Sequence, residues 1–251
     1  MSGVSAPAPT GSVVAATRGL VSIILATYNE RDNILDTLAG IRRFVPPPLE
    51  IIVVYDDSPD QTWKLVADAD LPEVTLIRRV ATRGLASAFM RGIIESRGDI
   101  VGWMDADMSM PPSLLPQMVD GLREADVVIG SRYVAGGADV RDPVRRLASM
   151  IINRFAGIVL GYGIHDYDSG FVVLRRSVFD KVSIIPTGYG AYFIEFVYAC
   201  CRKGLRVREA PYVFRDRTSG ASKSFASLWH FAWLGSGYLY RIMRARFRGI
   251  D

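Results

Sequence analysis

Over the first 130 positions, apolar residues come in short blocks separated by polar turns. Val21–Ala26, Glu50–Tyr55, Val74–Arg79, Ile100–Met104 and Asp126–Ile129 are compact runs without polar alternation, and they predict strands buried in a sheet. Between them the apolar spacing is helical. Ile34, Leu35, Leu38 and Ile41 mark one face of a helix over Glu30–Phe44, which Pro46-Pro47-Pro48 stops. Further helices are predicted over Thr62–Ala69, Leu85–Arg97 and Pro112–Glu124. Strands alternating with helices imply an α/β fold with a Rossmann-like, mostly parallel sheet and helices on both faces.

The second half is less regular. It predicts a helix over Pro143–Leu160, a turn over Gly161–Gly170, a short strand at Phe171–Leu174 and a helix over Ala191–Lys203. Leu205–Arg217 reads as extended, and Phe225–Phe247 as a helix or helix pair bent near Gly235 and Gly237. No Ser/Gly-rich linker separates the halves. The expected organisation is a disordered arm over 1–19, a catalytic domain over 20–224 and an amphipathic C-terminal segment over 225–251.

Composition narrows the partners. A net charge of +4 favours anionic ligands without selecting one. The arginines are dispersed and no recognition motif appears, which argues against nucleic acid. Cys200 and Cys201 are adjacent, so no disulfide framework is expected and the setting reads as reducing and cytoplasmic. Two histidines without Cys/His spacing argue against structural zinc. The first 19 residues lack the pattern of a secretory signal. Phe225–Met243 is too interrupted by Ser, His, Gly and Arg for a membrane span.

The strongest chemical signal is Asp105-Ala106-Asp107 at the tip of the fourth strand. Ligands of open α/β sheets bind at such tips. Two carboxylates one residue apart point the same way along an extended chain and can share a hard divalent cation, which in turn can hold a diphosphate.

Several turns then line up in order. Thr27-Tyr28-Asn29-Glu30, Asp56–Thr62 (Asp-x-Ser-Pro-Asp-x-Thr), Asp105-Ala106-Asp107 and Gly130-Ser131-Arg132-Tyr133 resemble those of inverting family-2 glycosyltransferases. So do Asp166-Tyr167-Asp168-Ser169-Gly170-Phe171 and the segment from Arg217 to Ser222-Lys223. The ordered set, over about residues 20–225, looks like the polyprenol-phosphate (dolichol-phosphate) mannose synthases. The resemblance implies a glycosyltransferase-A fold. Three positions depart from the pattern: Ala26 replaces a proline, Tyr55 stands where the first of two aspartates is common, and Ser109 stands where a Gln often helps hold the metal.

The resemblance assigns roles. Asp105, Asp107 and Ser109 would hold Mg²⁺ or Mn²⁺, with Asp107 central to catalysis. Thr27, Tyr28, Glu30, Asp56, Arg83 and Asp105 would bind the nucleotide sugar. A phosphate acceptor is already anionic and needs cations rather than a base. Arg132, Arg145, Arg146, Arg217 and Lys223, with Ser222, are the candidates. Asp166 would orient the sugar or an arginine near the acceptor phosphate; for a hydroxyl acceptor it would be the base to test first. The implied reaction is metal-dependent, inverting transfer of a hexose, mannose from GDP-mannose, to a polyprenyl phosphate. Aromatics and arginines in 225–248 suit peripheral contact with an anionic leaflet on the inner face of the cell membrane. The alternatives are transfer from a GDP- or UDP-sugar to a small hydroxyl acceptor, and a catalytically weak nucleotide-sugar-binding protein.

Overall fold

The computed structural model describes residues 19–187, 190–215 and 228–247, with side chains in the last helix from Gly237 onward. The expected disordered arm therefore lies outside the described residues, apart from Gly19. So do Arg217, Ser222 and Lys223.

Among the described residues there are nine strands and seven α-helices, which alternate as expected through the first half. The order is β1 (Val21–Thr27), α1 (Ile34–Phe44), β2 (Leu49–Tyr55), α2 (Thr62–Asp68), β3 (Val74–Arg78), α3 (Leu85–Glu95) and β4 (Ile100–Asp105). Next come a 3₁₀ turn (Pro112–Leu114), α4 (Leu115–Gly121) and β5 (Val127–Ser131). The second half holds β6 (Ala138–Asp139), α5 (Pro143–Leu160), β7 (Val172–Arg175), a 3₁₀ turn (Arg176–Asp180), α6 (Ala191–Arg202), β8 (Val207–Pro211), β9 (Val213–Phe214) and α7 (Leu228–Phe247).

Seven strands form one sheet in the order β3-β2-β1-β4-β7-β5-β8; β6 pairs with β9 separately. All neighbours in the large sheet run parallel except those of β7, which is antiparallel to both β4 and β5. Both faces are covered, which is why the strands read as unbroken apolar runs. On one face Ile23, Leu25, Ile51, Val53 and Met104 meet Ile34, Leu38 and Ile41 of α1 and Leu115 and Met118 of α4. On the other, Ile24, Ile52, Val54, Val101 and Trp103 meet Phe89 of α3 and Tyr192, Phe193 and Phe196 of α6. Trp103 is fully buried, sits 5.5 Å edge-on from Phe196, and donates through Nε1 to the Tyr192 hydroxyl at 3.1 Å.

The strand order sets the site. The chain lays β1, β2 and β3 outward in one direction, then returns to place β4 on the other side of β1. That reversal is a topological switch point, where a crevice opens beyond the carboxyl ends of β1 and β4. Ala26 pairs with Asp105 in register, and Thr27 with Tyr55, so three strand ends reach the same rim. Because β7 is antiparallel, its beginning lies at that rim. The turn Asp166–Gly170 is delivered there, opposite the acidic pair.

Two local details differ from the sequence reading. Pro116 has no N–H to give to Pro112, so the predicted Pro112–Glu124 helix opens as a 3₁₀ turn and becomes α-helical only from Leu115. Predicted extended Leu205–Arg217 divides into β8 and β9, which join different sheets. The last helix is one continuous run, the first of the two forms expected.

Candidate active site

The acidic pair occupies the rim between two cavities. Both are lined by Asp105 and Asp107. Asp107 is buried, and its Oδ1 accepts from the Ser109 backbone N–H at 3.1 Å across Met108, which adopts a left-handed φ of 63°. Ser109 Oγ is buried without a hydrogen-bond partner and lines the second cavity. A buried polar atom left unpaired in a native fold calls for a water or an ion.

The first cavity lies beyond β1 and β2. Thr27, Tyr28, Glu30, Asp56 and Arg83 line it together, so every nucleotide-side candidate is brought to one place. Thr27 is buried, its hydroxyl donating to the Val54 carbonyl at 3.3 Å. The Glu30 backbone N–H donates to Thr62 Oγ1 at 3.1 Å, and its carboxylate accepts from Asn33 Nδ2 at 3.1 Å. Arg83 lies over the Tyr28 ring, 4.6 Å from its centroid. This stack offers a flat, cationic wall for a base or phosphate.

Asp56 is fixed by Arg79, a residue that the apolar pattern marks only as the end of the third strand. Arg79 donates from Nε and Nη2 to the two Asp56 oxygens at 2.6 Å each, and the Gly84 N–H adds a third bond at 3.0 Å. The departure at Tyr55 is also explained. Its ring is buried and its hydroxyl donates to the Ser58 carbonyl, closing the β2 turn from beneath.

The second cavity is lined by Asp105, Asp107 and Asp168 and by Arg132, Arg141, Arg145 and Arg215. Arg132 and Asp166 form a buried bidentate pair: Nε donates to Oδ2 at 2.8 Å and Nη2 to Oδ1 at 2.6 Å. The Arg132 N–H also donates to Oδ2 at 2.9 Å, and Nη2 to the Asp168 carbonyl at 3.1 Å. Burial works against the guanidinium charge, but the Asp166 carboxylate overrides it and holds the Arg132 pKa above its usual value. The fork that would clamp a phosphate is thus occupied by Asp166. Asp166 itself has no exposed surface, so it orients an arginine.

Arg145 and Arg146 part company. Arg145 turns into the cavity; Arg146, one position on, is exposed and does not line it. Arg141 was not anticipated. It is held bidentately by Asp139, with Nε at 2.9 Å from Oδ1, and lies 4.6 Å over the Phe214 ring. Arg215, two positions before Arg217 in the sequence, was not among the expected residues. Asp168 is the other addition. Burial pushes its carboxyl up to about 6, with Asp166 adding to the shift and Arg132, Arg141 and the Tyr238 hydroxyl opposing it. His165 is an exposed loop residue whose Nδ1 lies 2.8 Å from Glu209.

The donor set fits a hard cation. Among the described residues no three His, Cys, Asp or Glu side chains converge, so two carboxylates and the unpaired Ser109 hydroxyl are the ligands on offer. An all-oxygen set of this size suits Mg²⁺ or Mn²⁺, which keep positions for water and phosphate oxygens. Ser109→Ala is expected to weaken Mn²⁺ binding severalfold without lowering the melting temperature. Electron paramagnetic resonance titration of free Mn²⁺ checks this; unchanged affinity would remove Ser109 from the ligand set.

A sheet of this order with an acidic pair at its switch point has the architecture of the glycosyltransferase-A fold. The chain belongs to glycosyl transferase family 2, which it matches over residues 22–183. It is 36% identical over 210 residues to the dolichol-phosphate mannosyltransferase of Pyrococcus furiosus, covering 81% of this chain and 58% of that protein. Against the polyprenol monophosphomannose synthase of Mycolicibacterium smegmatis it is 35% identical over 215 residues, covering 82% and 81%. Against the undecaprenyl-phosphate mannosyltransferase of Micrococcus luteus it is 34% identical over 212 residues, covering 81% and 86%. In fold it resembles glucosyl-3-phosphoglycerate synthase of Mycobacterium tuberculosis, solved with Mn²⁺, UDP and glucosyl-3-phosphoglycerate. That likeness has a TM-score of 0.70 at 17% identity, covering 93% of this chain and 82% of that one. The family expected from the ordered turns is the family found.

Proposed function

We propose that the chain transfers mannose, with inversion, from GDP-mannose to a polyprenyl phosphate. The observation that carries this reading is the second cavity, where four arginines stand beside the acidic pair. Its cations suit an anionic acceptor. The names of the three mannosyltransferase relatives described above point the same way.

On this reading Tyr28, Arg83 and Asp56 bind the nucleoside, and Asp105, Asp107 and Ser109 hold a divalent cation. When bound, that cation supplies the positive charge that a departing diphosphate needs. A phosphate oxygen of the acceptor attacks the anomeric carbon as the bond to the diphosphate oxygen breaks, and the electron pair leaves with the nucleotide. No proton has to move. Arg145 and Arg215 hold the incoming phosphate, together with Arg217 and Lys223 from the segment beyond the described residues. Arg132, already paired, adds charge and shape.

One observation favours a second reading. A carboxyl raised to about 6, as Asp168 is, suits a general base. With a small hydroxyl acceptor Asp168 would serve, whereas Asp166 is committed to Arg132. Transfer assays with GDP- and UDP-sugars against a polyprenyl phosphate and a hydroxyl panel separate the two. The first reading expects product only with the phosphate and GDP-mannose; product only with a hydroxyl overturns it.

We also infer peripheral contact with the cytoplasmic leaflet. Among the described residues no helix is long and apolar enough to cross a membrane. Helix α7 buries Ile242 and Ala245 while exposing Tyr240, Met243 and Phe247, and the adjacent α5 exposes Leu147, Ile151 and Ile158. Arginines 154, 244 and 246 lie on the same two helices. Replacing Tyr240, Met243 and Phe247 by serine spares the buried side of α7. It is expected to reduce flotation with anionic vesicles several-fold; equal flotation would contradict the inference.

A further inference from the structure

Among the described residues, helix α7 brings the Tyr238 side chain to the wall of the second cavity. Tyr238 lines it with Asp168, Gly190 and Arg145. The Tyr238 hydroxyl hydrogen-bonds to the Asp168 carboxylate. Both groups sit over the backbone of Gly190. A Cβ at Gly190 would collide with the Tyr238 hydroxyl and come within 3.0 Å of Asp168 Oδ1, so the joint closes only over glycine.

Asp168 is anchored from the opposite side too. Its N–H donates to Asn153 Oδ1 of α5 at 3.1 Å, and its carbonyl accepts from Arg132. One turn further along α7, Arg241 lies 3.5 Å from Glu195 of α6 and donates to Thr187 Oγ1 at 2.9 Å. The helix is therefore fastened at two successive turns to the body that carries the site.

A phosphate entering this cavity meets three carboxylates as well as the arginines. Asp105 and Asp107 are the cation's ligands on the reading above. Asp168 is not among them, and its negative charge opposes an anionic acceptor. A hydroxyl that donates to it disperses that charge and fixes the carboxylate's direction.

We propose that Tyr238 is a positioning residue for the acceptor: its hydroxyl restrains the Asp168 carboxylate so that a phosphate is admitted, which ties acceptor binding to the docking of α7. The proposal rests on the reading that the acceptor is a phosphate.

The test uses the full chain and a short polyprenyl phosphate. Tyr238→Phe removes only the hydroxyl. It is expected to raise KM for the polyprenyl phosphate by on the order of tenfold, the loss of one charge-assisted hydrogen bond, with kcat and the GDP-mannose KM within about twofold. In an Asp168→Asn background, where there is no charge to restrain, Tyr238→Phe should add less than about twofold. An equal loss in both backgrounds, a fall in kcat alone, or no change in acceptor KM overturns the proposal. Amide exchange across 237–247 shows whether the helix stays docked; faster exchange with an unaltered acceptor KM makes the hydroxyl a fold contact only and also overturns it. A wild-type enzyme that uses a hydroxyl acceptor and ignores polyprenyl phosphate brings down the functional reading, and this proposal with it. Wild-type transfer to polyprenyl phosphate combined with additive variants brings down the proposal alone.

Discussion

Asp107→Ala is expected to lower kcat by about 10³-fold, the scale of losing a preorganised group that stabilises leaving-group charge, while the protein keeps its melting temperature to within a few degrees. Asp107 lines both cavities, so on the proposed reading it would face the donor and the acceptor at once. Its neighbour Asp105 ends β4 in register with Ala26 of β1, which holds the pair at the switch point whatever residue stands at 107. Asp107 lies past the strand, in a turn whose backbone contact is to Ser109. Activity should thus fall without loss of the sheet. Steady-state transfer with a Mn²⁺ titration, alongside thermal unfolding by circular dichroism, measures both. Turnover that stays metal-dependent and near wild type would remove Asp107 from its role.

The second large effect runs the other way, through stability. Asp166→Ala leaves Arg132 buried with its charge uncompensated, and breaking such a pair costs about 3–5 kcal/mol. A domain of ordinary stability holds only about 5–15 kcal/mol in total. The variant is expected to show a urea midpoint shifted down by a large fraction of the wild-type value, with activity lost as the fold is lost. Four hydrogen bonds converge here: three reach the Asp166 carboxylate from Arg132, and Nη2 reaches the Asp168 carbonyl. They join the end of β5 to the turn that starts β7, so the pair also sets the direction of Asp168. The double variant Arg132→Met, Asp166→Leu replaces the charges by apolar groups of similar size and is expected to recover much of the stability but not the activity. An Asp166→Ala protein with wild-type stability and no turnover would instead make Asp166 a chemical participant.

The legible part of this structure was the part written in local pattern. Parallel strands covered on both faces appear as uninterrupted apolar runs, and β1, β2, β3, β4 and β5 were found within a residue or two of their bounds. Helix α5 was found at both ends because Asp142 caps it, Pro143 starts it and Gly161 stops it. What was not legible depends on distant partners. Nothing local says that β7 inserts antiparallel between β4 and β5, yet that choice delivers Asp166 and Asp168 to the rim. Two residues each in β6 and β9 are too few to show a period.

The same divide runs through the site. The acidic pair and the nucleotide-side turns sit on strand tips, so their positions followed from the strands. Arg79, Arg141 and Tyr238 matter through what they touch, at Asp56, Phe214 and Asp168. Arg145 and Arg146 were equivalent on paper; the phase of α5 separates them.

On the proposed reading, the acidic pair holds a cation against the diphosphate of the donor. A crystal structure with Mn²⁺ and an unreactive GDP-mannose analogue, collected at the manganese edge, tests it most directly. One anomalous peak is expected beside Asp105 and Asp107, next to the diphosphate, with the base beside Tyr28 and the sugar turned toward Arg145. A diphosphate bound elsewhere on the chain, or a manganese peak away from Asp105 and Asp107, would contradict it.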